Sequence, residues 1–267
     1  MTDELRYEVS ERVALVTFNR PDQMNTISGP MLGALSERLL EADADPEVRA
    51  IVITGAGRAW CAGLDVAASA SGGGLGNLQD ALAAPPPGEF DLRSAPPVVL
   101  HKIDTPTIAA LNGGAAGYGL DLALGCDIRI AAPAAKLAFA YAARGILPES
   151  AGTWLLPRLV GSSKAAELLF TARTVGADEA LTLGLVSEVV DAGQLTERAL
   201  GLAGEIAANA PLAVRAIKRM LRMGATENLE DHVHRQFLAL LPLVRTKDFA
   251  EGMRSFVERR PPDFQGR

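Results

Sequence analysis

The chain has 267 residues, 48% of them hydrophobic and 22% charged, and a formal net charge of −6. That balance supports a packed core rather than disorder, and the length suits one large domain or a core with a helical appendage. It offers no dense basic block for general nucleic-acid binding, and no uninterrupted apolar run long enough to span a membrane.

The polar, acidic start Met1-Thr2-Asp3-Glu4 lacks the charged-then-apolar pattern of a signal peptide, so a cytoplasmic location is expected. Two short strands rich in β-formers are predicted at 6–10 and 13–18. Ser28 is the predicted N-cap of a helix running to about Ala42, with Leu32, Leu35 and Leu39 on one face. A strand at 49–54 then leads to a glycine turn, Trp60-Cys61-Ala62-Gly63-Leu64-Asp65, and a helix start. Residues 67–97 contain Ser71-Gly72-Gly73-Gly74-Leu75-Gly76 and Pro85-Pro86-Pro87-Gly88 and read as a mobile loop, expected to act as a lid over a pocket. They are not a phosphate cradle: no strand precedes the glycines and no Gly-Lys-Ser/Thr follows. A strand at 106–111 enters a second glycine turn, Asn112-Gly113-Gly114-Ala115-Ala116-Gly117-Tyr118-Gly119, which opens a helix at 119–125 before a strand at 127–132. After about Leu195 the pattern is wholly helical, with predicted helices at 195–208, 211–223, 227–241 and 246–259. Strand, turn and helix recur without sequence repetition, which implies layered α/β packing with right-handed crossovers.

Cys61 and Cys126 are expected to be reduced, core or near-core thiols. No metal site is expected. His232 and His234 are two apart on a predicted helix and do not share a face, and His101 has no evident Cys or His partner. Arg20, Arg58, Lys102 and the C-terminal arginines are the cations available to a phosphate-bearing ligand.

The two glycine turns carry the chemistry. Glycines leave backbone N–H groups uncovered, and a following helix aims partial positive charge at whatever sits there. Two such turns converging make a pocket for one developing negative charge, the anatomy of an oxyanion hole.

The run from Ala59 to Asp65 resembles the Phe-x-Ala-Gly-x-Asp motif of the crotonase (enoyl-CoA hydratase/isomerase) superfamily. The segment Pro106–Asp127 resembles its second motif and Gly145–Gly161 its third. Weaker echoes stand at Asn19-Arg20-Pro21 with Asn25, at Gly184–Val190 and at Asp248–Gly252, so the resemblance spans nearly the whole chain. It implies an α/β crotonase spiral of ββα units over 1–195 and a helical C-terminal trimerisation region over 196–267, assembled as a trimer or a dimer of trimers. It also implies an acyl-CoA substrate and no cofactor beyond the CoA of that substrate.

The same resemblance makes the backbone N–H groups of Leu64 and Tyr118 the oxyanion donors. Tyr118 departs from the usual glycine and narrows the pocket. Ala62, Gly63, Asp65, Gly117, Arg20 and Tyr141 fall at substrate-binding positions, and Lys247 and Phe264 lie in tail segments that reach the CoA adenine in the family. Asp121 matches the first catalytic glutamate of many hydratases, Tyr141 replaces the second, and Glu149 matches the catalytic acid of several isomerases. A broken hydratase pair with Glu149 present favours a double-bond shift through a dienolate, with Glu149 as base and Asp121 as helper, second base or hydrogen-bond partner. Hydration is the alternative, and a non-catalytic acyl-CoA-binding subunit is the reading from another class. Structural roles stay open as well: Asp121 as a helix N-terminal acid, Glu149 as a turn residue, Tyr141 as pocket wall or core, Lys247 and Phe264 as a solvated face. A serine hydrolase is disfavoured, because no G-x-S-x-G elbow is present and no histidine has a triad context.

Overall fold

Strand β3 (Ala50–Gly55) is apolar at every position but Thr54 and Gly55 because both its faces are covered: Ile51 and Ile53 enter one core, Ala50 and Val52 another. The computed structural model describes residues 3–65 and 94–267. The hairpin β1 (Leu5–Ser10) and β2 (Val13–Phe18) leads to helix α1 (Gly29–Ala44), whose N-cap Ser28 accepts from Met31 N at 3.2 Å. Next come β3, β4 (Ala59–Cys61), α2 (Pro96–Lys102), β5 (Thr107–Leu111), β6 (Gly114–Ala116) and α3 (Tyr118–Gly125). Then follow β7 (Ile128–Ala131), β8 (Lys136–Ala138), α4 (Gly152–Val160), α5 (Ser162–Thr171), β9 (Thr174–Gly176), α6 (Ala177–Thr182) and β10 (Glu188–Val189). Helices α7 (Leu195–Ala207), α8 (Pro211–Gly224), α9 (Leu229–Leu243) and α10 (Lys247–Glu258) complete the chain.

The pairs β3–β4, β5–β6 and β7–β8 each divide their strands between two sheets. β3, β5 and β7 lie in a six-stranded sheet of order β1-β2-β3-β5-β7-β10, parallel except for the β1–β2 hairpin. β4, β6 and β8 lie parallel in a four-stranded sheet, closed by antiparallel β9. A helix returns the chain after each pair, which is the ββα spiral. In the small sheet, β4 and β6 overlap the two predicted glycine turns, and β8 and β9 have no predicted counterpart. The predicted lid lies outside the described residues, apart from its last four positions, where Pro96 and Pro97 open α2.

The helical C-terminal region begins inside the core. Leu195, Ala199, Ala203 and Ala207 recur every fourth residue on α7 and are buried with Val52, Ile108 and Ile130 of the large sheet. A division at 195/196 therefore cuts a helix that belongs to the first body. Helix α8 docks through charge: Lys218 Nζ meets Asp127 at 2.6 Å, Arg215 meets Asp43 at 2.9 Å, and Arg219 and Arg222 pair with Asp104. These arginines hold the appendage to the core. Cys61 and Cys126 are buried and free, and no described helix is long and apolar enough to cross a membrane.

Candidate active site

The small sheet brings the two glycine turns together. β4 and β6 pair in parallel, Ala59 with Gly114 and Cys61 with Ala115, so the chain leaves both strands at the same end. A methyl group on Gly63 would lie 2.9 Å from Ala116 O and 3.6 Å from Tyr118 N. With φ at +102°, Gly63 needs glycine for its backbone as well as for space. Ile27 pins the first turn, donating to Gly63 O at 2.8 Å and accepting from Asp65 N at 3.0 Å. Those bonds flank the Leu64 amide without using it. Neither it nor the Tyr118 amide, at the start of α3, has an acceptor among the described residues. Two unused amides where two turns touch, one of them at a helix N-terminus, suit developing negative charge.

The Asn19–Asn25 segment buttresses this corner. Arg20 bonds Asp65 at 2.8 Å, Glu4 at 3.1 Å and Thr26 O at 2.6 Å, while Asn25 Nδ2 donates to Ala59 O at 2.7 Å. Substrate contact is the role the resemblance implies for Arg20 and Asp65, but the structure pairs their charges with each other.

Asp121 sits in the first turn of α3 but does not act as a helix-terminal acid. Its fully buried carboxyl faces Tyr141, whose Oη is 2.6 Å from Asp121 Oδ1 and 2.8 Å from Gly117 O. Ser150 N–H donates to Oδ2 at 3.3 Å, and the Gly152 amide also faces the carboxyl. Ala151 between them is left-handed, φ 80°. A Cβ on Gly152 would stand 2.3 Å from Oδ1. Burial pushes the Asp121 pKa up to about 7; the Tyr141 hydrogen bond opposes this and the Glu149 charge adds to it. Tyr141 is thus a buried hydrogen-bonding residue, and its own pKa is raised by burial and by Asp121.

Glu149 is different. It is exposed at the end of the segment preceding α4, with its pKa raised by desolvation. Nearby, the hydroxyls of Tyr118 and Ser150 are buried and face each other, and neither makes a hydrogen bond of good geometry among the described residues. Trp154 is partly buried: its ring lies under Arg158 and against His101. Phe139 is fully buried.

Lys247 and Phe264 are not brought to this corner within one chain. Lys247 is exposed, and Phe264 O accepts from Arg49 at 2.7 Å, at the start of β3, a strand about 17 Å long whose other end leads to the glycine turn.

The profile of the enoyl-CoA hydratase/isomerase family matches residues 8–267. The chain belongs to that family. It is 38% identical to an (E)-benzylidenesuccinyl-CoA hydratase of Thauera aromatica, over 97% of this chain and 98% of the relative. It is 34% identical to the 1,2-epoxyphenylacetyl-CoA isomerase of Escherichia coli (strain K12), over the whole of both. The solved structure of an enoyl-CoA hydratase from Bacillus anthracis superposes with a TM-score of 0.91 at 33% identity, covering 99% of this chain and 100% of that one. The fold is therefore the crotonase fold, and the chain is an acyl-CoA enzyme of the hydratase/isomerase family.

The state of Asp121 in this family member has a consequence for stability. Its folded pKa lies above the ordinary carboxylate value, so folding favours the protonated form. The contribution is complete below about pH 4 and is lost as pH rises through about 7, an upper bound on the order of 4 kcal/mol. Asp121→Asn is expected to flatten that fall, melting several degrees above wild type at pH 8 and near it at pH 5.

Sequence reasoning finds Asp121, Tyr141 and Glu149 but misses the Ser150 and Gly152 amides and the Gly117 carbonyl that fix Asp121. Backbone groups carry no sequence label; Gly152, after Glu149-Ser150-Ala151, is the only written sign of the close approach.

Proposed function

We propose that this enzyme shifts the double bond of an enoyl-CoA thioester, moving a proton between C2 and C4 through a dienolate. The Leu64 and Tyr118 amides hold the thioester oxygen as negative charge develops, and Glu149 carries the proton. One observation supports this above the rest: of the two carboxyls, Asp121 is buried against Tyr141 while Glu149 is exposed with a raised pKa. A single free carboxyl suits proton relocation, whereas hydration draws on two groups that share a water. The site needs no cofactor beyond the CoA of its substrate, and the two free thiols agree with a cytoplasmic setting.

Hydration is the second reading. The buried hydroxyls of Tyr118 and Ser150 beside Glu149 are suited to hold a water, and hydratases occur among the relatives. Mass-resolved turnover of a 3-enoyl-CoA and a 2-enoyl-CoA separates the two. The proposal expects the 3-enoyl substrate to rearrange at constant mass. Gain of one water by the 2-enoyl substrate, without rearrangement of the other, contradicts it.

The assembly proposed is a homotrimer or a dimer of trimers. Leu229, Val233, Phe237 and Leu240 form an exposed stripe on α9, which buries no residue, and Phe256 on α10 is 81% exposed. Copies of the chain would cover these faces. Light scattering should give three or six times the 28.0 kDa chain mass, and a monomer would refute the assembly.

A further inference from the structure

The Tyr141 hydroxyl has one proton and two oxygen neighbours. Gly117 O, at 2.8 Å, can only accept, so Tyr141 is the donor in that bond. Tyr141 can equally donate to Asp121 Oδ1 at 2.6 Å, but its single proton cannot serve both oxygens, so when it serves Gly117 O the second contact is bridged by a proton carried on Asp121. An ionised Asp121 would instead claim the Tyr141 proton and leave two oxygen lone pairs facing each other at Gly117. The carbonyl of Gly117 and the amide of Tyr118 belong to one peptide unit.

We propose that Tyr141 and Asp121 are positioning residues for the oxyanion hole: protonated Asp121 donates to Tyr141, Tyr141 donates to Gly117 O, and the Gly117–Tyr118 peptide is thereby polarised toward the thioester oxygen. Drawing electron density toward the carbonyl oxygen makes the peptide N–H a stronger donor, and consecutive hydrogen bonds reinforce one another. Gly117 O also accepts from Asp121 N at 3.1 Å, so the same residue fixes the carbonyl through both backbone and side chain. The Asp121 carboxyl is faced by the Tyr141 phenol and by the Ser150 and Gly152 amides; the Glu149 charge acts on it from beyond them, and Tyr118, with Cys61 beside it, is the next titratable neighbour. From α2, His101 packs on Trp154 and Lys102 is exposed. Burial of Asp121 favours its protonated form. Loss of that proton disconnects the chain, so activity falls at high pH, a limb opposite in sense to the rise as the Glu149 base ionises.

This inference rests on the oxyanion role given to Leu64 and Tyr118, and two measurements keep the failures apart. The first is the carbonyl stretching frequency of a bound saturated acyl-CoA, which needs no turnover. Tyr141→Phe should shift it back toward the free-thioester value and lower kcat about tenfold with KM within twofold. The second is the pH profile of kcat. Asp121→Asn, whose amide donates to Tyr141 at every pH, should lose the falling limb near 7. An unchanged frequency in Tyr141→Phe, or a falling limb that persists in Asp121→Asn, overturns the chain; if Tyr141→Phe does not fold, the Asp121→Asn profile decides alone. A wild-type protein that polarises the bound carbonyl but rearranges no enoyl-CoA overturns the isomerase reading and leaves the hydrogen-bond chain standing.

Discussion

Glu149→Gln is expected to lower kcat for a 3-enoyl-CoA by about 10²–10⁴-fold, the usual worth of a positioned general base. The amide keeps the size of the side chain but cannot take up a proton. KM should stay within a few-fold, because the turns that would hold the thioester lie elsewhere. The fold should be unaffected, since Glu149 is exposed and such substitutions usually change stability by about 0.5 kcal/mol or less. Steady-state kinetics with a melting curve check both statements. Asp121 offers no substitute base, for its carboxyl is enclosed by Tyr141, Ser150 and Gly152. A loss of only two- or threefold would mean that the proton is carried elsewhere.

Gly63→Ala is expected to cost about 10²-fold in kcat through geometry alone, comparable to loss of one oxyanion donor. The new methyl meets a backbone oxygen, Ala116 O, at 2.9 Å, and φ of +102° is strained for any L side chain. Nothing flexible can yield, so the turns move apart and the Leu64 and Tyr118 amides lose their common target. The strain should also cost on the order of 1–3 kcal/mol of stability. Kinetics at a temperature well below the lowered melting point separate the two effects. Full activity in a folded Gly63→Ala enzyme would remove these turns from the catalytic account.

The large sheet and the tail helices were legible because their signals are long: apolar runs at 13–18, 50–54 and 107–111, and four helical patterns after Leu195. The small sheet was not, because strands of three residues such as Gly114–Ala116 carry no periodicity and two of them lie within or beside the glycine turns. Asp121, Glu149 and the two turns could be named from motif order. What Asp121 does could not, since its partners are a tyrosine twenty residues away and backbone groups. The pairing of Arg20 with Asp65 was not legible for a related reason: a charge in a motif has the same letter whatever it meets, here its neighbour at 2.8 Å.

The central claim is that a dienolate forms between the two glycine turns and is reprotonated by Glu149. Rearrangement of a 3-enoyl-CoA in D₂O, followed by mass spectrometry and NMR of the product, tests it most directly. The expected result is deuterium at C4 of the 2-enoyl product, deuterium wash-in at C2 of recovered substrate, no added water, and loss of both signals in Glu149→Gln. A 3-enoyl-CoA recovered without deuterium at C2 or C4, while a 2-enoyl-CoA supplied in its place gains D₂O across its 2,3-double bond, would contradict it and make the enzyme a hydratase.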